Sequence, residues 1–289
     1  MTSNRPDTLV LGAVAYAPKV VTIWEGFKQY FTDHGLPFDY VLYSNYETQV
    51  EALLAGECDV AWNSPLAWVR ADRLARAQGK QVHTIATRDT DCDLTSVIIV
   101  RTDSALETVA DLTGKVVAVG AVDSPQASLL PLAYLRTQGL TPEVDFAVQR
   151  HDLLGGKHGD HIGGELAGAQ SVMAGMADAA CIIKGNYDTW ITDGTLAIGA
   201  TRVLAETPPY DHCNVTVGPA AASALIDRLH DLLMGMAYDD PQVRPLMDLE
   251  GLTEWRATRL DGYRALEAAV DIAGFYDRDG TIIEGNYHY

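Results

Sequence analysis

The sequence predicts an α/β protein of two lobes, the second inserted within the first, and three observations predict it. Short apolar runs alternate with segments of helical periodicity over the first hundred residues, in the order β-α-β-α-β-α. That order implies a parallel sheet covered by helices. A second series of the same kind runs from about residue 101 to 205. The stretches near Thr95–Arg101 and His212–Gly218 then read as the places where the chain crosses between the two series. The expected division is 1–100 for lobe 1, 101–205 for lobe 2, and 206–289 for the rest of lobe 1 with its C-terminal helices. A cleft between two lobes is a usual ligand site.

Each element has its own signal. Thr8 to Ala15 reads as a buried strand, and Val20 to His34 as a helix stopped by Gly35. Phe38 to Tyr43 alternates like a strand, Glu47 to Ala55 is helical up to Gly56, Cys58 to Trp62 is a strand, and Pro65 to Gln78 a helix. In the second series the strands are Val97–Arg101, Lys115–Val119, Phe146–Gln149 and Ala179–Ile183. The helices there are Leu106–Leu112, Gln126–Gln138 and Leu166–Ala174. Cys213–Val217 is a returning strand, and Ala220–Ala237, Met247–Leu252 and Tyr263–Ala273 read as helices. Open α/β sheets bind ligands outside the carboxyl ends of their strands. Those ends hold Tyr16, Tyr46, Asn63, Ser64, Ser124, Gln126, Asn186 and Tyr187.

Composition narrows the function. The 289 residues are 47% hydrophobic, with a formal net charge of −18. No basic patch exists for nucleic acid, and an anionic membrane surface would repel the chain. No run of about 18 apolar residues occurs, so no membrane insertion is expected. The polar start, Met1 to Thr8, lacks the pattern of a secretory signal, which points to a cytoplasmic protein. The alternative is an extracytoplasmic protein whose export signal has been removed. Cysteines at 58, 92, 181 and 213 stand far apart, with neither disulfide-framework nor zinc-finger spacing. Walker A, G-x-G-x-x-G and G-x-S-x-G runs are absent.

Several motifs resemble one family. They are Gly12-Ala-Val-Ala-Tyr16, then Tyr46 to Ala61 with its G-E-x-D-x-A turn, then Asn63-Ser-Pro-Leu-Ala-Trp68. Further on come Asp111-Leu-Thr-Gly-Lys115 and the G-x-x-D-A-A turn within Val172–Ala180. Together they resemble the type 2 periplasmic-binding-protein fold, in particular the phosphate/phosphonate-type substrate-binding proteins of ABC transporters. The resemblance implies two lobes, each a mixed, mostly parallel sheet flanked by helices, with the ligand cleft between them. It implies a small polar or anionic ligand (a carboxylate, a phosphonate-like molecule or a heterocycle). It implies no required cofactor, and an ABC permease as partner if the chain is exported. One departure stands out. Where the family has a hydroxyl-rich Ser-Thr-Ser-Gly helix start, this chain has Asp123-Ser-Pro-Gln-Ala-Ser128. Ser124 fits an N-cap and Pro125 the first helical position, but Asp123 brings a carboxylate to the anion's place.

The glycine-rich segment Gly155 to Glu165 holds His158, Asp160, His161 and Glu165. Glycines let a backbone approach a ligand closely, and histidine moves protons near neutral pH. His158, His161 and Glu165 are therefore ligand candidates and weak candidates for a divalent metal. If the chain is instead a cytoplasmic enzyme on the same fold, such as a decarboxylase, a lyase or a cofactor-biosynthesis enzyme, His158, His161 and Cys213 are its catalytic candidates. Asp211-His212-Cys213 resembles a triad in one line, but in a strand only Asp211 and Cys213 would share a face. Asp89, Asp91 and Asp93 open like a calcium loop but lack its later glycine and glutamate. They read as solvated loop acids.

Overall fold

The first helix shows how local patterning builds the core. Strand β1 (Leu9–Val14) leads to α1 (Lys19–Asp33), which buries Val20, Ile23, Trp24, Phe27 and Phe31 along one stripe. Positions i, i+3, i+4, i+7 and i+11 share one helix face, and that face lies on the core. Gly35, at φ +80°, ends it in a conformation that suits glycine. The computed structural model describes residues 7–153, 155–159 and 164–289.

In chain order there follow β2 (Phe38–Tyr43), α2 (Tyr46–Ala55), β3 (Val60–Asn63), α3 (Pro65–Ala77) and β4 (His83–Arg88). The second series is β5 (Ser96–Arg101), β6 (Val116–Val119), a π turn over Pro125–Leu129 that continues as α4 (Leu130–Thr137), then β7 (Ala147–Arg150). It goes on through α5 (Glu165–Met173), β8 (Ala179–Ile183), α6 (Lys184–Thr192) and β9 (Thr201–Glu206). The chain ends with β10 (Asn214–Val217), α7 (Ser223–Met234), α8 (Arg244–Glu250), β11 (Trp255–Arg256) and α9 (Arg264–Ala273).

The chain forms two compact units. The first takes the residues up to Cys92, Asp211–Asp261 and Tyr276–Ile282, and the second takes Asp93–Tyr210, Gly262–Phe275 and Ile283–Tyr289. The sheet of the first unit has the order β11-β4-β10-β3-β1-β2, and that of the second β7-β6-β8-β5-β9. Each has a parallel trio (β2-β1-β3 and β7-β6-β8) joined by an antiparallel strand, β10 or β5. Strand β5 shows why the second sheet is apolar on both faces. Ile98 and Val100 join one core with Val117, Leu135 and Phe146, while Val97 and Ile99 join the other with Ala169, Val172 and Ile182.

The two glycine–aspartate turns do the same physical work in both units. Asp59 Oδ2 accepts the Val10 amide at 2.8 Å, and Asp178 Oδ2 accepts the Val116 amide at 2.9 Å. Each carboxylate thus satisfies an amide at the start of a parallel strand, which would otherwise stay unpaired.

Several expectations are corrected. The unit boundaries fall at residues 92–93 and 210–211, and 206–289 is not wholly in the first unit. Helix α9 belongs to the second unit because its apolar face packs on α4. Tyr276–Ile282 returns to the first unit, where Arg73 Nη1 donates to the carbonyls of Tyr276 and Asp277 at 3.2 and 3.1 Å. The helix expected over Leu106–Leu112 is only a short 3₁₀ turn, Val109–Leu112. Strands β4, β9 and β11 and helix α6 were not expected.

Candidate functional site

In the second unit the chain leaves β6 and turns into the helix at Ser124. The Ser124 side chain accepts the Ala127 amide at 3.1 Å, and Pro125 takes the first helical position. The Leu129 amide reaches back to the Ser124 carbonyl at 2.9 Å, which widens the first turn into a π turn. The preceding residue, Asp123, is fully buried. Its Oδ2 accepts the amides of Gly156 and His158 at 2.8 and 3.1 Å. Asp123 therefore ties the glycine-rich loop down, its carboxyl oxygen held by two backbone N–H groups.

That loop sits on the helix start. Gly159, at φ +69°, lies so close to Ser124 that any Cβ there would collide with the serine side chain. Its carbonyl accepts Gln126 Nε2 at 3.1 Å. His158 is buried with a positive φ of 51°. His161 and Asp160 lie outside the described residues.

Two of the expected ligand residues converge on the carboxyl group of a third. Glu165, the first residue of α5, receives Gln126 Nε2 on Oε1 at 3.2 Å. Its Oε2 receives the Ile183 amide at 2.8 Å and Asn186 Nδ2 at 3.3 Å. Burial raises the Glu165 pKa, and the hydrogen bonds from Ile183, Gln126 and Asn186 offset this only in part. Asn186 is half-buried, so this cluster reaches the surface through it. Tyr187 does not join it: its buried hydroxyl meets Thr201 Oγ1 at 3.1 Å. Lys184–Tyr187 is the first turn of α6 rather than a loop.

The first unit has the corresponding Ser–Pro start. Ser64 accepts the Ala67 amide at 3.1 Å, again with proline at the first helical position. Asn63 is locked into a buried network: Gln49 Nε2 donates to its Oδ1 at 2.8 Å, and its Nδ2 donates to Thr216 Oγ1 at 2.9 Å. Tyr46 is core, packed with Val14 and Val50. Tyr16 is half-buried at the end of β1, with the Lys19 ammonium 5.8 Å from its ring centre.

The aspartates near β4 are not simply solvated. Asp91 is buried and accepts Arg88 Nε and Nη2 at 2.6 and 3.0 Å, while Arg88 Nη1 also reaches Glu250. Asp211 turns to Arg259, at 2.7 Å through both oxygens. His212 Nδ1 faces its own neighbour, Cys213 Sγ, at 3.0 Å. Sequence reasoning missed Arg88, because an arginine ending a strand gives no local sign of a buried partner. The thiols of Cys58 and Cys181 are pushed up to about 12 by burial, so neither is a thiolate at neutral pH. Among the described residues, His158 and Glu165 join no group of three metal-ligating side chains.

A family model described as "ABC transporter, phosphonate, periplasmic substrate-binding protein" matches residues 13–263. Solved structures share the fold. PhnD1 from Prochlorococcus marinus in complex with methylphosphonate is 17% identical, with a TM-score of 0.69 over 93% of this chain and 99% of that one. A Xanthomonas citri protein bound to ATP is 17% identical, with a TM-score of 0.73 over 93% and 98%. The periplasmic aliphatic sulphonate binding protein SsuA of Escherichia coli is 19% identical, with a TM-score of 0.57 over 92% and 86%. Among the described residues, no helix is long and apolar enough to cross a membrane.

Proposed function

Because the chain belongs to the phosphonate-type periplasmic substrate-binding proteins of ABC transporters, we propose that it captures one small polar or anionic molecule at the Gln126–Glu165–Asn186 cluster and passes it to a permease. The carrying observation is the convergence of three elements, the π turn before α4, α5 and α6, on the Glu165 carboxyl group. Convergent polar groups beyond the carboxyl ends of parallel strands are where such folds take ligands. The family is described as periplasmic, which supports the extracytoplasmic alternative over the cytoplasmic expectation. The enzyme reading is not favoured by this family placement.

The acids around the cluster narrow the ligand. Asp123 and Glu165 are buried carboxyl groups beside the helix start. A ligand that is only a dianion finds carboxyl oxygens there instead of further donors. A ligand carrying a donor or an ammonium group beside its oxyanion matches both the Ser124 helix N-terminus and the acids. The test is native mass spectrometry with thermal-shift measurement of the full chain against methylphosphonate, an aminoalkylphosphonate, an alkylsulfonate and a simple carboxylate. A one-to-one adduct that favours the amino compound is expected. A stronger response to methylphosphonate contradicts the donor requirement, and no adduct with any of the four contradicts the ligand class.

A further inference from the structure

Three different donor chemistries meet where the chain returns to the first unit. One carboxylate oxygen of Asp91, one ring nitrogen of His212 and Cys213 Sγ all lie within 4.8 Å of one another, and all three residues are buried. His212 Nδ1 stands 3.0 Å from the sulfur and 3.6 Å from Asp91 Oδ1. The backbone fixes this arrangement. The His212 amide donates to the Asp91 carbonyl at 2.8 Å, and Thr87 Oγ1 donates to the Cys213 carbonyl at 2.7 Å.

The geometry does not suit a proton relay. A relay places acid and nucleophile on opposite nitrogens of the imidazole. Here the same nitrogen, Nδ1, faces both the carboxylate and the thiol. One nitrogen, one sulfur and one oxygen turned toward a common point are instead a chelating set, of the softness that suits a borderline divalent ion such as zinc.

Arg88 faces two buried carboxyl groups, Asp91 and Glu250, whose side chains are 3% and 5% exposed. Arg88 does not block the site, because a carboxylate oxygen has a second lone pair and an outer donor orients a metal-bound carboxylate.

We propose that Asp91, His212 and Cys213 form a zinc-class metal site, with a fourth position left for water. The bound ion fastens the segment that leaves the first unit at Cys92 to the one that returns at Asp211. This inference is independent of the ligand cluster around Glu165.

The test is a cobalt titration of the reduced, metal-stripped full chain. One equivalent of Co²⁺ should give a near-ultraviolet thiolate-to-cobalt band and tetrahedral d–d bands, both displaced by zinc, and zinc should raise the Tm. Cys92→Ser should keep the bands, Cys213→Ser should lose the thiolate band, and His212→Gln should weaken binding at least tenfold. If circular dichroism shows that Cys213→Ser does not fold, X-ray absorption of the zinc-loaded wild-type chain decides through one sulfur ligand among nitrogen and oxygen ligands. A folded wild-type chain with no thiolate–cobalt band, a zinc spectrum without sulfur, or a band that survives in folded Cys213→Ser would overturn the proposal.

Discussion

Ser64 in the first unit and Ser124 in the second cap their helices with the same 3.1 Å hydrogen bond and the same following proline, yet the residue before each serine does different work. Asn63 is neutral and points into its own unit, where Gln49 and Thr216 hold it. Asp123 is a carboxylate and reaches out to the amides of a glycine-rich loop. The capping code is therefore common to both units, while the neighbouring residue decides whether the site is a fixed wall or an anchor for a loop. The second unit also carries Glu165, a buried carboxyl group with three donors.

The comparison can be broken most severely at Asn63. Asn63→Ala strips partners from buried Gln49 and Thr216, and a loss of about 3 kcal/mol in urea unfolding is expected, the upper range for a buried unsatisfied group. A loss no larger than that of a surface substitution would show that the network is not structural. Asp123→Ala should cost less, about 2 kcal/mol for two hydrogen bonds at about 1 kcal/mol each. Its distinctive sign is local: hydrogen exchange at Gly156 and His158 should speed up while the β6 amides stay protected. Equal acceleration throughout the second unit would mean that Asp123 supports the core instead.

Ser64→Ala and Ser124→Ala test the shared part, and each should cost about 1 kcal/mol, the usual worth of such a cap. Clearly unequal losses would separate the regular first turn of α3 from the π turn before α4. The smallest effect is electrostatic. Burial raises the Glu165 pKa above its ordinary value of 4.5, so folding favours the protonated acid more than the unfolded chain does. Its contribution to stability is complete below about 4.5 and is lost as pH rises through the raised value. Glu165→Gln should flatten that part of the stability–pH curve, and an unchanged slope would contradict the assigned burial effect.

Much of the architecture was legible because the signals were local. Helical periodicity located α1, and the glycine–aspartate turns marked the ends of α2 and α5. Helix α6 was hidden because Gly185 and Asn186 are poor helix formers and tertiary packing overrides them. Gln126, Glu165 and Asn186 were identified from their places at strand ends, but their convergence on one carboxyl group depends on contacts far apart in sequence. Asp91 looked like a loop acid for the same reason: Glu250, the second acid on its partner Arg88, lies on a helix near the other end of the chain. Asp123 was expected to oppose an anion, and its occupation of the loop amides could not be read from a linear pattern.

The most direct test of the central claim is calorimetry with the ligand found by mass spectrometry, on wild type and on Asn186→Ala. Asn186 is half-buried, so its truncation should leave the Tm nearly unchanged. The account predicts one-to-one binding to the wild-type chain and at least tenfold weaker binding to the variant, about 1.4 kcal/mol. Equal affinity in the two proteins would place the ligand away from the Glu165 cluster and contradict the account.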